Sequence, residues 1–137
     1  MTAYSQSSAH HAYQSVANHG RARAADPHGL ILMLMDGAVE RIAHARGCIE
    51  NQDYAGKAQL LQRAVAIIDE LRSSLDMQKG GPIAANLHDL YEYMCRQLLQ
   101  AMIDNNADKL TEVLGLLHQI RDAWHGIPKH LRAAPSP

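Results

Sequence analysis

Apolar residues recur at intervals of three and four along most of this chain, which is the spacing of one face of an α-helix. The pattern is clearest in three stretches, Leu61–Leu75, Ile83–Met102 and Leu110–Trp124. Alternation of apolar and polar residues with a period of two, and tight glycine turns between β-branched runs, are absent from the sequence. The hydrophobic pattern therefore predicts an all-α protein.

An earlier stretch is more apolar than these three. It begins with Asp26 and Pro27, which suit a helix N-cap and the first helical position. Six consecutive large apolar residues follow at Leu30–Met35, which is more than one helical turn, and the pattern then narrows to a single stripe. We expect a helix from Pro27 to about Glu50 whose first half is buried on every side. A small bundle has difficulty covering such a helix, so part of this apolar surface is a candidate for binding a partner.

Three short segments interrupt the pattern: Asn51–Asp53, Asp76–Pro82 and Asp104–Asn106. Asp53 suits the N-cap of a second helix, which we predict from Tyr54 to Leu75. Pro82 suits the first position of a third helix. Gly126 and Pro128 supply the stop signal for a fourth. The chain is therefore predicted to contain four helices joined by short loops.

Four helices with one apolar stripe each predict an antiparallel up-down-up-down four-helix bundle over residues 26–127. Residues 1–25 are small and polar with weak apolar spacing. We expect them to form a mobile N-terminal segment with one short helix, which would be marginal alone. Residues 128–137 are expected to be a disordered tail.

Composition narrows the classes of function. The 137-residue chain has a formal net charge of −1, no Lys/Arg-rich run and 4% aromatic residues, so the features of a nucleic-acid-binding protein are missing. The longest wholly apolar run is far shorter than the roughly 20 residues that span a bilayer. No basic region followed by an apolar stretch marks a secretory signal. We therefore expect a cytoplasmic protein that neither binds nucleic acid nor inserts into a membrane.

Candidate chemistry is weak in this sequence. The chain has nine histidines but lacks His-Glu-x-x-His and the Glu-x-x-His pair of di-iron bundles. Two pairs at i, i+4 spacing can share a metal ion or form ordinary surface pairs, and the second interpretation is favoured: Glu40 with His44, and His118 with Asp122. The two cysteines, Cys48 and Cys95, are predicted to be buried reduced thiols, although their spacing does not exclude a disulfide. We expect no metal, no cofactor and no enzymatic activity.

Several apolar residues lie beside a central stripe and cannot share its face. Tyr93 is two residues from Tyr91, so if Tyr91 joins the core, Tyr93 points elsewhere. Ile67 beside Ile68 poses the same problem. Such residues indicate a groove for a partner, or they are the singly exposed apolar side chains that any bundle carries.

Five blocks of the sequence, in order and at compatible spacing, carry a resemblance to a known family. They are DPHGLILMLMDGA (Asp26–Ala38), NQDYAGKAQLL (Asn51–Leu61), SSLDMQKGGPIAANLHDLYEYM (Ser73–Met94), RQLLQAMIDNN (Arg96–Asn106) and RDAW (Arg121–Trp124). Together they resemble the FliS family, the flagellar export chaperones of flagellin. Two departures are Met35, where the family often has an aromatic residue, and Asp26, which replaces Ser or Thr and keeps the capping chemistry.

The resemblance implies a cytoplasmic, non-enzymatic four-helix chaperone. Such a chaperone binds the disordered C-terminal segment of flagellin, prevents premature polymerisation and aids delivery to the flagellar type III export apparatus. The resemblance also implies that the client wraps around the bundle, displacing or abutting the N-terminal segment. Apolar character off the central stripes suggests these client contacts: Tyr13, Val16, Ile31, Met33, Met35, Ile67 and Tyr93.

An alternative interpretation is a self-associating helical module, in which the same apolar surface forms a homodimer without a flagellin client. Molecular mass in solution, measured with and without client peptide, distinguishes the two interpretations.

Overall fold

The computed structural model describes residues 26–128 and residue 130. This part of the chain forms four helices and no strand: α1 (Pro27–Glu50), α2 (Tyr54–Ser73), α3 (Met77–Asp104) and α4 (Ala107–His125). The prediction of an all-α bundle is confirmed. The predicted short helix within residues 1–25 and most of the predicted tail lie outside the described residues.

Polar side chains begin three of the helices, as the sequence pattern indicates for Asp53. The carboxylate of Asp53 accepts a hydrogen bond from the Gly56 amide at 3.1 Å, at the start of α2. The Asn106 side chain accepts from the Asp108 amide at 3.0 Å, at the start of α4. Each cap pairs an amide that the first helical turn leaves without a backbone acceptor.

The third helix begins earlier than predicted. The carboxylate of Asp76 accepts from the amides of Gln78 and Lys79, and this cap starts α3 at Met77 instead of Pro82. The break that the sequence predicts is a single residue, Gly81, with φ 51° and ψ −130°. This conformation is open to glycine and strained for other residues. α3 therefore consists of one capped turn, a kink and a long continuous helix.

The interior is made from one stripe of each helix, as the periodicity predicts. Met35, Ile42, Ile68, Leu98 and Leu117 are each at most 1% exposed. Other members of the core are Ala38, Ala45, Leu61, Ala64, Leu71, Tyr91, Met94, Ala101, Leu110 and Val113. The core is thus aliphatic with one tyrosine, and it fits a sequence that has no Phe.

The first half of α1 is less enclosed than predicted. Leu32, Met33 and Leu34 are half-buried, and Leu30 is 38% exposed. Only Met35 in this run is fully buried. A helix at the corner of a bundle turns one side outward, so an all-round apolar segment keeps part of its surface accessible. The expectation of burial on every side is therefore wrong.

Residues 32–126 form one compact unit, and side-chain contacts within it show how the helices run. The Arg121 side chain of α4 forms an ion pair with Asp36 of α1, with Nε 2.5 Å from Oδ1. Ten residues further along α1, Arg46 donates to the hydroxyl of Thr111 at 3.3 Å. The positions advance along α1 as they recede along α4, so these two helices are antiparallel. The predicted up-down-up-down order is confirmed.

The remaining described residues, 26–31 with 127, 128 and 130, belong to a second unit. Within it the carbonyl oxygen of Asp26 accepts from the amides of Gly29 and Leu30, which fixes the first turn of α1. His28 is 4% exposed. Across the described ranges, no helix is long and apolar enough to cross a membrane.

Candidate partner-binding surfaces

The seven predicted client contacts fall into three groups. Tyr13 and Val16 lie outside the described residues. Met35 is 1% exposed and belongs to the core, so its side chain is not available to a partner in this conformation. The other four are half-buried and keep some accessible apolar surface: Ile31, Met33, Ile67 and Tyr93.

The side chain of Ile67 reaches from α2 to α1. A Cβ atom placed on Gly37 of α1 would lie 3.7 Å from Cδ1 of Ile67 and 3.3 Å from Nη1 of Arg41. The absence of a side chain at Gly37 leaves room for the Arg41 side chain to fold back, and its Nη1 donates to the Gly37 carbonyl at 3.0 Å. Met33 is one turn earlier on the same face of α1. An apolar and a cationic side chain thus share one strip of surface.

This strip opens into a cleft of about 400 Å³ between α1 and α2. The cleft is lined by Glu40, Arg41, His44, Gln59, Leu60 and Arg63. We call the whole feature the α1–α2 groove, with Met33, Gly37 and Ile67 as its apolar end and the cleft as its cationic end.

The charged groups in the cationic end are not neutralised by one another. Among the residues that the structure describes, neither Arg41 nor Arg63 lies within 4.0 Å of a carboxylate. Glu40 and His44 are exposed, and neither forms an ion pair within the part of the chain that the structure describes. The predicted surface character of Glu40 and His44 is confirmed, and the cleft lining contains two arginines and one glutamate.

The opposite edge of α2 is bonded along its length to α3. At one end Lys57, which is 5% exposed, donates from Nζ to the carbonyl of Met102 at 2.6 Å and to the side chain of Asn105. The ammonium group also lies 5.3 Å from the ring centre of Tyr54. Lys57 therefore donates to a backbone carbonyl in the last turn of α3 that has no donor within the helix.

The other end of this edge carries a charged cluster. Arg72 lies 3.4 Å from Nε2 of His88 and 3.8 Å from a carboxylate oxygen of Glu92. His88, Asp89 and Glu92 bring their ligand atoms within 4.8 Å of one another, which is metal-like spacing. The Arg72 guanidinium contacts His88 and Glu92, two of these three groups, and supplies the positive charge that a metal ion would otherwise provide. The cluster is therefore an ion-pair network that links α2 to α3.

Tyr93 belongs to a third edge, between α3 and α4. Its hydroxyl donates to the Glu112 carboxylate at 2.6 Å, and the amide of Gln97 donates to both. The hydrogen bond to Glu112 raises the pKa of Tyr93, and the same bond lowers the pKa of Glu112. Tyr91, two residues away, is 2% exposed. The prediction that the two tyrosines face different ways is confirmed.

The structure thus brings Ile67 up to Gly37, with Met33 one turn earlier on α1, while Tyr93 lies on the α3–α4 edge. Each helix contacts the next along the chain, and α4 contacts α1, so the edges α1–α2 and α3–α4 lie on opposite sides of the 32–126 unit. A single short helix cannot reach both edges at once. A partner that contacts Ile67 and Tyr93 has to pass around the bundle.

Neither cysteine is in a disulfide in the structure. Burial raises the pKa of the half-buried Cys95 thiol to about 11, so it is protonated at neutral pH. Burial also raises the pKa of Cys48, and the nearby Asp53 carboxylate adds to the effect. Both thiols are reduced as expected, but only Cys48 is fully buried, so the expectation of burial is wrong for Cys95.

The pairing of Arg41 with Arg63 in one cleft was not predicted from the sequence. A signal was available, because facing positions in an antiparallel helical hairpin lie at equal distances from its loop. Arg41 and Arg63 are each eleven residues from Gln52, and Gly37 and Ile67 are each fifteen residues from it. Counting outward from the loop centre would have placed both pairs opposite each other.

Comparison with known proteins gives one consistent result. The family described as flagellar protein FliS matches residues 9–131. The flagellar secretion chaperone FliS of Salmonella typhimurium is 45% identical over 117 residues, covering 85% of this chain and 87% of the relative. FliSB of Pseudomonas aeruginosa is 42% identical over 115 residues, with 84% and 91% covered. FliS of Bacillus subtilis is 39% identical over 100 residues, with 73% and 74% covered.

Proposed function

Because this chain belongs to the FliS family of flagellar secretion chaperones, we propose that it binds the disordered C-terminal segment of flagellin in the cytoplasm. Binding prevents premature polymerisation of flagellin and aids its delivery to the flagellar type III export apparatus. The family match carries the proposal. The activity is binding without covalent chemistry, and it uses no cofactor or metal.

The α1–α2 groove supports this function because its apolar end remains partly accessible in the chain alone. Met33 and Ile67 are half-buried beside Gly37, which has no side chain to fill the space. A groove of this kind binds an amphipathic helix through apolar residues that recur every three or four positions. The segment Leu30–Leu34 adds apolar surface on the same helix.

The energetics favour a long client segment over a short one. A disordered segment that folds on binding typically buries ~1,000–3,000 Å² and loses several kcal/mol of free energy to ordering. Contacts at Ile67 alone are too few to offset that cost. A segment that continues around the bundle to Tyr93 gains contacts on a second edge, and these contacts help to offset the cost of ordering.

Titration of the chaperone with a peptide spanning the flagellin C-terminal segment tests the proposal. We expect one peptide per chain and a dissociation constant in the micromolar range or tighter by isothermal titration calorimetry. Lack of binding in that range would contradict the proposal. A scrambled peptide of the same composition is the control for non-specific apolar contact.

Light scattering with and without the peptide tests the homodimer interpretation. The proposed chaperone gives a complex of one chain and one peptide. A dimer that is independent of concentration and unchanged by the peptide would instead assign the apolar surface to self-association.

Tyr13 and Val16 are tested by removing residues 1–25. If these two side chains contact the client, the shortened chain binds the peptide more weakly. If the segment competes with the client for the groove, the shortened chain binds more tightly, and Tyr13 and Val16 are not client contacts. The bundle is expected to melt at nearly the same temperature in both cases.

A further inference from the structure

We propose that the cationic end of the α1–α2 groove binds a carboxylate side chain of the client through Arg41 and Arg63. This inference rests on the proposed function, because it assigns the chemistry of one position in the client segment. It adds an electrostatic requirement to a groove that is otherwise recognised by its apolar character. The client residue is an Asp or Glu close to an apolar residue that contacts Ile67.

Register places the two arginines opposite each other. Gly37 and Ile67 face each other across the hairpin, as the 3.7 Å approach shows. Arg41 is one turn further along α1, and Arg63 is one turn back along α2. In antiparallel helices these two steps run in the same direction, so the backbone positions of Arg41 and Arg63 lie at the same level, and both side chains line the cleft.

Their charges are available to a ligand. Among residues 26–128 neither guanidinium group has a carboxylate within 4.0 Å, whereas Arg72 and Arg121 of the same bundle both do. Two like charges facing one cleft repel each other, and Glu40 is the only acid in the lining. A carboxylate bound between the guanidinium groups relieves this repulsion, and its planar shape suits the arginine fork.

Arg41 is also held in position before any ligand binds. Its Nη1 donates to the Gly37 carbonyl at 3.0 Å, so the long side chain lies along α1. A guanidinium group has five N–H donors, and this bond occupies one of them. The side chain loses less freedom on binding than one that is free in solvent, which favours affinity.

The apolar end determines where the acid must lie in the client. The Arg41 guanidinium reaches back to the Gly37 carbonyl, and Arg63 is one helical turn, about 5.4 Å, from Ile67 along α2. A client helix that packs an apolar residue on Ile67 therefore presents its acid within one turn of that residue. The same chemistry excludes a purely apolar helix as the preferred ligand.

Conservative neutral variants test this inference: Arg41→Gln, Arg63→Gln and the double variant. Arg46→Gln is the matched control, because Arg46 is on the same helix but points to Thr111 of α4. The probe is the flagellin C-terminal peptide, made also with each Asp or Glu replaced singly by its amide. Calorimetry at low and high NaCl measures affinity, and circular dichroism checks that each variant folds.

We expect each single variant to weaken binding about two- to fivefold and the double variant about tenfold, as for partly exposed ion pairs. One amide replacement in the peptide should weaken binding to the wild-type chain but not to the double variant. Salt should weaken wild-type binding more than binding by the double variant. Arg46→Gln should match the wild type.

The outcomes separate this inference from the proposed function. If the wild-type chain binds no peptide, the proposed function fails. If it binds, and the double variant binds equally well at both salt concentrations, the carboxylate contact is overturned while the chaperone function stands. If the variants bind more weakly but every amide-substituted peptide loses affinity in parallel for both chains, the arginines act without a specific acid, and the contact is likewise overturned.

Discussion

The two edges of α2 differ in how completely their polar groups are paired. Toward α3, Lys57 caps a helix end and Arg72 joins an ion-pair network. Toward α1, Arg63 has no ion pair among the described residues, and Ile67 stays half-buried. One helix therefore has a bonded edge and an open edge, and each edge carries an arginine.

The presence of a charged residue does not by itself distinguish a structural edge of α2 from a binding edge. Arg72 and Arg63 are nine residues apart on one helix, and only their surroundings differ. A cation whose partners are supplied by the chain stabilises the fold. A cation left beside an apolar strip is available for a partner, so the open edge is where function is proposed.

The largest expected effect is on stability, and it comes from a substitution at the bonded edge, where α2 faces α3. Lys57→Met removes the donor that pairs the Met102 carbonyl and the Asn105 side chain at a buried position. Loss of a buried charged hydrogen-bond donor should lower the free energy of unfolding by about 2–3 kcal/mol. Urea denaturation measures this change. Lys109→Met, which removes a partly exposed ion pair with Asp104, should cost well under 1 kcal/mol.

A loss of stability without a loss of peptide affinity would support the division of α2 into a structural edge and a binding edge. Peptide affinity per folded chain should be unchanged by Lys57→Met, because Lys57 lies on the α3 side of α2. If Lys57→Met weakened the peptide affinity of the folded protein as much as its stability, the division into structural and binding edges would fail.

A smaller effect, on binding alone, is expected from Gly37→Leu. The new side chain would fill the space beside Ile67 and push Arg41 out of its position, because a Cβ there is already 3.3 Å from Nη1. We expect peptide affinity to fall about tenfold, about 1.4 kcal/mol. Stability should hold or rise, because leucine favours a helix over glycine.

Gly115→Leu is the control for this helix effect. Gly115 is exposed on α4, and a Cβ there has no atom within 4 Å. Gly115→Leu should raise stability for the same reason and leave the peptide affinity measured by calorimetry unchanged. Unchanged affinity in Gly37→Leu would show that the client does not use the α1–α2 groove.

The smallest effect is expected at the α3–α4 edge from Tyr93→Phe. Because the native pKa of Glu112 is lowered by the Tyr93 hydroxyl, this hydrogen bond stabilises the fold above the ordinary glutamate pKa. The contribution is lost as pH falls through the lowered native value. Chemical denaturation should therefore show a small difference between wild type and Tyr93→Phe at pH 7 that disappears once the pH is below the lowered native pKa of Glu112. A difference that persisted in acid would assign it to the hydrogen bonds that the hydroxyl makes with Gln97 and with uncharged Glu112.

The sequence predicted most of the fold because local signals determine it. Periodicity located all four helices, and the Asp53 cap and the Pro27 start were visible in the residues themselves. The early start of α3 was missed because a short capped turn before Gly81 carries no periodic stripe. Met35 was assigned to the client surface instead of the core because a run of six apolar residues does not indicate which side faces the core.

The candidate site was predictable only in part. Ile67 and Tyr93 could be identified because each lies beside a core residue. Arg41 and Arg63 are unremarkable as single residues, and their meaning depends on which side of each helix meets the other. That information lies in the register of the hairpin around Gln52, which links positions far apart in the chain.

The near-complete burial of Lys57 gives the protein an internal reporter of its own opening. Amine-reactive reagents should modify the half-buried Lys109 and the exposed Lys79 readily in the native chain. They should reach Lys57 only in molecules whose α2 and α3 have come apart. The ratio of labelling at these lysines, measured by mass spectrometry, would therefore report whether binding and release of a client require α2 to separate from α3.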